Sequence, residues 1–355
     1  MILTKQLIPS EIPFLCNKRT LYLSDFRAIS ESMLYEIPAM WKYENLLPWI
    51  LDGQYVIVND DFGGIEYNHG NNILPVRKAM DPRVSVFERV KDDIITKNEI
   101  SSLWVSIPHP KADALAKENK LSINYNYSEF KKYNDKLSQK DVLKSYTPEW
   151  KKINNVKELD DFECIHKPGF LKRRFGSGGY TVFLSSEIKC DLNFRNLFSK
   201  TSDEWYWEAL ALGIPHSIQC VRYRESGDTI IFGFSEQLIA ENKYFVGSKI
   251  LPLEFLDDII LRQLRDVLSK INIFLEGYEG FFGVDFMVES ETQKISVLEL
   301  NVRMTAATIP TLLMNELRKE KGEYREDVPL SQVQQHDIIL TKDVLANTAD
   351  ILRYS

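Results

Sequence analysis

The sequence predicts an α/β fold, and three observations carry that prediction. Short apolar runs at 54–59 and 103–107 are bounded by turn signals, as the buried strands of a sheet are. Between 257 and 276, Ile260, Leu264, Val267, Leu268, Ile271, Phe274 and Leu275 recur at helical spacing. Residues 280–289 and 294–301 are two apolar runs separated by a turn at 290–293, which reads as strand, turn, strand.

The elements follow in order. The run at 54–59 ends at Asp60-Asp61-Phe62-Gly63-Gly64, and the run at 103–107 ends at Pro108-His109-Pro110. Helices are expected in part of 78–98 and at 111–119, which makes residues 1–127 a first α/β lobe. A helical stretch at 128–145 opens at Ser128 as N-cap, with Glu129 in the first turn, and closes at Tyr146-Thr147-Pro148. A strand is expected at 162–166, followed by Lys167-Pro168, the glycine-rich segment Gly176-Ser177-Gly178-Gly179 and an apolar run at 180–184. Residues 204–212 and 216–224 read as a strand-like pair around Gly213-Ile214-Pro215, and 229–239 as a further strand. Gly277 stands where the helix over 257–276 needs a C-terminal cap. The charged segment from Arg318 to Asp327 reads as an exposed loop, and 338–353 as a short terminal helix.

Composition narrows the functional class. With 355 residues, 44% hydrophobic and 12% aromatic, the chain can build a real core in about two domains. A net charge of −7 argues against a dedicated nucleic-acid binder, while leaving room for a local basic pocket. The four cysteines, Cys16, Cys164, Cys190 and Cys220, form no CxxC pair, so free buried thiols in a reducing compartment are expected. The five histidines show no metal-ligand spacing. Lys5 and Glu11 interrupt any apolar signal core, and no run approaches the roughly 18 apolar residues of a membrane span. A cytoplasmic globular protein with no nucleic-acid or membrane partner is the expectation.

The strand pair at 280–303 is the most informative segment. Strand side chains alternate between faces, so Gly283, Asp285 and Met287 share one face. Val297, Glu299, Asn301 and Arg303 share a face of the partner strand. Two apolar strands then present an Asp, a Glu, an Asn and an Arg to one cavity, and the two carboxylates with an amide oxygen suit Mg²⁺. The competing reading is a solvent-facing hairpin whose charges do nothing. A second candidate is Lys167 with Gly176–Gly179. Glycines let backbone N–H groups approach a phosphate, and a lysine at a strand end supplies charge. The competing reading there is a glycine-rich hairpin turn. The basic cluster Lys172-Arg173-Arg174 is either an anion contact or a solvated loop. Asp60, Asp61, Gly63 and Gly64 end a first-lobe strand, where open α/β sheets bind ligands; a plain turn is the alternative.

Taken together, these motifs resemble the ATP-grasp superfamily of carboxylate–amine ligases. Gly283-Val284-Asp285-Phe286 followed by Leu298-Glu299-Leu300-Asn301-Val302-Arg303 is similar to the family's metal-binding strand pair, with Val302 where a proline is usual. Asn134-Asp135-Lys136, opening a helix, looks like the family's first phosphate lysine motif, and Lys167-Pro168 like the second. Gly176-Ser177-Gly178-Gly179-Tyr180 resembles its glycine loop, although the step from Lys167 to that loop is longer than usual. Glu208, Ala209 and Leu210, before Gly213-Ile214-Pro215-His216-Ser217, resemble the hinge that holds adenine, with one residue more between Glu208 and Gly213 than in many members. His216 lies in a strand similar to one in the carboxylases of this fold. Trp205 and Trp207 flank the hinge segment; core packing is expected of the tryptophans, with one of these two available to line the adenine pocket.

The resemblance covers roughly residues 130–310. It implies an N-terminal pre-ATP-grasp α/β domain at 1–127, an ATP-grasp domain at 128–330 and a C-terminal tail or helix at 331–355. Within the ATP-grasp domain it implies a glycine-loop lobe at about 146–212 and a metal-binding lobe at about 213–330. It further implies ATP as cofactor with Mg²⁺, or Mn²⁺ in its place. Asp285, Glu299 and Asn301 would be the metal ligands. Lys136, Lys167, Gly176, Ser177, Gly178, Gly179, Glu208, Ala209, Leu210 and His216 would bind ATP, and Arg303 would be catalytic. The implied reaction joins a carboxylate to an amine, an amino acid or short peptide being the default substrate, through an acyl phosphate with release of ADP and phosphate. A homodimer is left open. The alternatives are an ATP-grasp kinase, a biotin- or bicarbonate-dependent carboxylase on the same fold, and a non-catalytic ATP-binding regulatory protein. A nicotinamide oxidoreductase lacks its glycine fingerprint here.

Overall fold

The structure is a computed structural model. It describes residues 1–17, 19–23, 55–57, 72–73, 92–154, 158, 168–176, 182–185, 204–240, 244–320 and 338–341. The strand expected at 162–166, Lys167, Ser177–Gly179, Asp60–Gly64, Cys164, Cys190, Trp41, Trp49, most of the helical region at 78–98 and most of the tail lie outside the described residues.

Strand β1 (Ile2–Thr4) is separate from the first sheet, which comprises β2 (Thr20–Leu23), β3 (Tyr55–Ile57), β4 (Asn72–Ile73), β5 (Ser102–Val105) and β6 (Ser122–Ile123). These five run parallel in the order β4-β3-β2-β5-β6. Helix α1 (Asp92–Lys97) precedes β5, and α2 (Pro110–Glu118) links β5 to β6. Leu21, Leu23, Leu103 and Val105 of the strands pack with Ile95, Ala112 and Leu115 of the helices. The His109 Nδ1 accepts from the Lys111 N–H at 3.2 Å and so caps α2, with Pro110 pre-set at its first position.

The helical stretch expected at 128–145 is two helices, α3 (Tyr127–Tyr133) and α4 (Lys136–Val142). The cap of α3 is Asn126 rather than Ser128. Its Oδ1 accepts from the Glu129 N–H, and the Glu129 carboxylate accepts from the Asn126 N–H, both at 2.9 Å. Asp135 caps α4, accepting from the Leu137 N–H at 3.1 Å.

A small antiparallel sheet follows: β7 (Trp150–Ile153), β8 (Gly169–Arg173), β9 (Val182–Leu184) and β10 (Trp205–Ala209), in the order β7-β10-β8-β9. Trp205 and Trp207 are buried with Ile153 and Leu171 on one face of this sheet. Neither is therefore free to line a nucleotide pocket, which corrects that expectation in favour of core packing.

The large sheet contains β11 (Ile214–Arg222), β12 (Thr229–Ala240), β13 (Tyr244–Leu251), β14 (Gly280–Val288), β15 (Ile295–Asn301) and β16 (Ile338–Thr341). Their order is β15-β14-β11-β12-β13-β16, all antiparallel, and β1 pairs in parallel with β12. The strand-like pair around Gly213 is thus divided: β10 and β11 belong to different sheets, and residues 210–213 cross between them. Gly213 has φ +133°, and a Cβ there would stand 2.2 Å from the Val288 carbonyl oxygen, so only glycine fits the crossing.

Helix α5 (Asp258–Phe274) lies on one face of the large sheet. Ile260, Leu264, Val267, Leu268, Ile271 and Leu275 pack there against Ile218, Ile231, Phe282, Val284 and Phe286. Gly277 beyond it has φ +82°, the left-handed conformation its capping place requires. The other face is covered by Ile309, Leu312 and Met314 of α6 (Thr308–Glu320), by Leu7, Ile12 and Leu15, and by Tyr22 and Trp104 of the first sheet.

Several expectations are corrected. Arg318 and Lys319 are helical, in the last turn of α6, where cations suit the helix dipole. Residues 338–341, expected to open a terminal helix, form β16, because a run containing two isoleucines finds the free edge of β13. Cys220 is buried, but Cys16 is exposed. Sheet membership also crosses the boundaries drawn at 127 and 331, since β1 and β16 both join the large sheet.

Leu264 is wholly buried between α5 and the sheet. Leu264→Ala should lower unfolding stability by about 3 kcal/mol, read by urea denaturation.

Candidate active site

The site is built where β14 and β15 pair. Asp285 stands opposite Glu299, and Gly283 opposite Asn301. A bulge at Leu298 shifts the register, so Phe286 faces Val297. Val297 therefore joins the apolar core with Phe286 rather than sharing the face of Glu299, as unbroken alternation predicted. The bulge is what frees Glu299 from that core.

Three polar groups form a chain across this face. The Asn301 Nδ2 donates to Asp285 Oδ2 at 3.0 Å, and Arg303 donates to Asn301 Oδ1 at 2.7 Å. Arg303 also donates to the Met304 carbonyl at 3.2 Å and is buried. Burial, then the neighbouring Glu299, pushes the Asp285 carboxyl up to about 6, against the opposing pull of Ser217, Arg303 and Gln237. Ser217 is held in turn by Gln219 at 3.0 Å, and Thr305 and Thr308 donate to Gln219.

Cations arrive from α4 and the small sheet. Lys136, the first residue of α4, is buried and meets Glu299 at 3.2 Å. Glu208, at the end of β10, is also buried, with its carboxylate between Lys140 of α4 and Lys172 of β8. Burial would raise the Glu208 pKa, but the two ammonium groups more than offset this and hold it below the usual range. Burial also pushes Lys140 down to about 8, Glu208 opposing. Arg174 pairs with Asp135, the cap of α4, at 2.5 Å and with Glu204.

His216 lies in β11 between Phe234 and Phe286, stacked on both at 5.1 and 5.9 Å. Its Nδ1 is 2.9 Å from the Ile214 carbonyl, and burial lowers its pKa, which keeps the ring neutral near pH 7. In the crossing segment Leu210 and Leu212 are 41% and 70% exposed, which leaves apolar surface uncovered between the two sheets.

The structure thus brings Lys136, Asp285, Glu299, Asn301 and Arg303 into one contact network. It puts Glu208, with Lys140 and Lys172, one turn further along the same face of α4. Ala209 and Leu210 lie at the crossing, and Gly176 follows β8. Lys140 carries no signal in the sequence, and Lys172 stands there only within a basic cluster that reads as an anion contact or a solvated loop. Lys172 precedes Gly176 by four residues on the strand that leads into the glycine segment, a spacing legible in the sequence but overshadowed by Lys167-Pro168. Lys140 had no motif, and only its place one turn beyond Lys136 on α4 could have marked it.

The donor set fits a hard divalent cation. Two carboxylates stand in cross-strand register, and burial with the charge of Glu299 raises the pKa of Asp285. The Asn301 oxygen, which accepts from Arg303, retains a second lone pair. Among the described residues no three His, Cys, Asp or Glu side chains converge, so a third protein ligand at this place would have to be an amide.

A carboxyl with a raised native pKa contributes stability that is full below its unfolded value near 4 and lost as pH rises through about 6. In metal-free protein, Asp285→Asn should therefore raise stability at pH 7.5, on the order of 2 kcal/mol, and change little at pH 4. Thermal melts with chelator at the two pH values check this.

Residues 133–307 match the family model of the ATP-grasp domain. No curated protein matches the chain. Among solved structures, N5-carboxyaminoimidazole synthetase from Staphylococcus aureus, complexed with ADP, is 15% identical with a TM-score of 0.52, over 82% of this chain and 71% of that one. L-amino acid ligase from Bacillus licheniformis is 11% identical with a TM-score of 0.53, over 81% and 67%. Pyruvate carboxylase from Rhizobium etli is 13% identical with a TM-score of 0.54, over 84% of this chain and 27% of that one. At these identities the likeness is one of fold. Residues 133–307 match the ATP-grasp domain, and over most of its length the chain shares the fold of these solved structures.

Proposed function

We propose that the chain is an ATP-dependent carboxylate–amine ligase, forming an amide through an acyl phosphate and releasing ADP and phosphate. The observation that carries the reading is the network of Lys136, Glu299, Asp285, Asn301 and Arg303, in which two carboxylates and three polar or cationic partners converge on one face of a strand pair. Phosphoryl transfer asks mainly for positioning and charge compensation, and this network supplies both.

In this reading Asp285, Glu299 and Asn301 hold Mg²⁺. When bound, the ion would offset charge on the β- and γ-phosphates. Lys136 exchanges part of its hold on Glu299 for a phosphate oxygen. Lys172, on the strand that runs into Gly176, takes the part assigned to Lys167 and exchanges Glu208 for phosphate; Lys140 stays behind to neutralise Glu208. The exposed apolar crossing at Leu210 and Leu212, with Ala209, offers a surface for adenine, and neutral His216 offers a hydrogen-bonding edge beside it. Gly176, just beyond β8, is the glycine proposed to bring its backbone N–H to the phosphates.

A carboxylate oxygen of the acid substrate attacks the γ-phosphorus, and the bond to the β-phosphate oxygen breaks, giving ADP. The amine then attacks the acyl carbon and phosphate leaves. Buried Arg303 balances the charge that develops on the transferring group. An amino acid or short peptide is the substrate class proposed for both partners, and a cytoplasmic setting belongs to the same proposal.

A phosphate-release screen of amino-acid pairs with Mg-ATP tests the reading. The expected products are ADP, phosphate and an amide; AMP with pyrophosphate would overturn the acyl-phosphate route, and a stable phosphate ester would make the protein a kinase. Glu299→Gln and Arg303→Ala should each lower turnover at least about 100-fold while the protein remains folded by circular dichroism.

A further inference from the structure

We propose that Asn134, Gln139 and Lys140 are positioning residues that stand in for a missing neighbouring strand along β15, and so hold Glu299 and Asn301 in register with Lys136. The ligand side of this inference rests on the proposed ATP and metal site.

The strand β15 is the outermost of its sheet. Among the described residues the backbone groups on its outer edge have no strand to pair with, and leaving them unpaired in a buried setting would be costly. At Leu298, Leu300 and Val302 side chains from one short segment meet them instead, with the Tyr125 hydroxyl also donating to the Val302 carbonyl at 2.9 Å. Gln139 Oε1 accepts from the Leu300 N–H at 3.2 Å, and its Nε2 donates to the Leu300 carbonyl at 2.7 Å. Asn134 treats Val302 in the same way: its Oδ1 accepts from the Val302 N–H at 2.9 Å, and its Nδ2 donates to the Val302 carbonyl at 3.2 Å. A primary amide carries one acceptor and two donors, so each side chain can pair with a residue as a peptide unit of a neighbouring strand would. Lys140 donates to the Leu298 carbonyl at 2.9 Å, on the bulge that turns Glu299 towards Asp285.

The geometry has a functional direction. Residues 300 and 302 are gripped on the outer edge, and Leu298 beside them. The residues between, Glu299 and Asn301, project towards the site. Lys136 belongs to the same segment as the three gripping side chains, so its 3.2 Å contact with Glu299 is set by the grip rather than by the flexible lysine alone. Gln139 and Lys140 are both buried, and the second Nε2 proton of Gln139 is taken by the Tyr133 carbonyl at 2.8 Å, which locks the amide's orientation. Asn134 is likewise anchored, donating to the Phe130 carbonyl at 3.0 Å.

The test uses the full chain and two readouts. Amide exchange in ligand-free protein reports the grip, and calorimetry of ATP with and without MgCl₂ reports the factor by which the metal raises ATP affinity. Gln139→Met should speed exchange at Leu300 at least about tenfold and cut the metal-dependent factor by about tenfold or more, as loss of a group supporting metal ligands does. Asp141→Ala, an exposed change on the same helix, should alter neither. A purely structural role would lower the melting temperature of Gln139→Met but leave the metal-dependent factor of the folded protein at the wild-type value, and that result would overturn the proposal. If Gln139→Met does not fold, Asn134→Leu, read at Val302, decides by the same criteria. If wild-type protein shows no metal-dependent ATP affinity, the ligase reading fails. Exchange at Leu300 then judges the grip by itself, and an unchanged rate in the variant overturns it.

Discussion

Asp285 and Glu299 face each other across a strand pair whose remaining side chains are largely Val, Phe and Leu. Two like charges so placed repel each other and lose their hydration, and the arrangement persists only because cations are brought to it. Lys136 meets Glu299, and Arg303 reaches Asp285 through Asn301. Much of the local architecture follows from that requirement. Helix α4 must lie along the outer strand to deliver its first lysine. Its next turn then carries Lys140 inward, where an ammonium needs a carboxylate, and Glu208 of the small sheet is that carboxylate. A single electrostatic demand at the strand pair thus extends to the contact between the two sheets.

The same cluster explains how an acidic protein can receive a polyanion. Lys136, Lys140, Lys172, Arg174 and Arg303 gather in one region, and each already touches an acidic or amide group of the protein. An incoming phosphate would compete with those groups rather than fill an open positive pocket. Selectivity follows from such competition. Only a ligand that offers the cations better geometry than Glu299 and Glu208 do, and brings a metal to satisfy the carboxylates left behind, gains by the exchange.

Much of this was legible in the sequence, for identifiable reasons. The helical spacing of Ile260 to Leu275 and the apolar strand pair at 280–301 are local patterns, and they gave the right elements. The Asp285–Glu299 pairing followed from strand alternation, and Asn134-Asp135-Lys136 marked the start of a helix. What could not be read depended on contacts distant in sequence. The bulge at Leu298 breaks the alternation and sends Val297 into the core. Lys140 owes its place to Glu208, far along the chain, and Trp205 and Trp207 owe their burial to Ile153 and Leu171. Residues 338–341 form a strand because β13 offers an edge, not because of any local signal strong enough to exclude a helix.

The membership of the large sheet has a consequence for how the protein is made. Its strands come from residues 2–4, from 214–301 and from 338–341. The sheet cannot be completed until the last of these leaves the ribosome, although most of it is synthesised well before. In the interval β13 waits for its second partner, and an unpaired strand edge is a natural seed for pairing between molecules. Contacts of such long sequence separation also slow folding. Cutting the gene at the edges of the ATP-grasp domain would make that interval permanent. The excised piece would keep every residue assigned here to metal and phosphate, yet lose the two short strands that close its sheet.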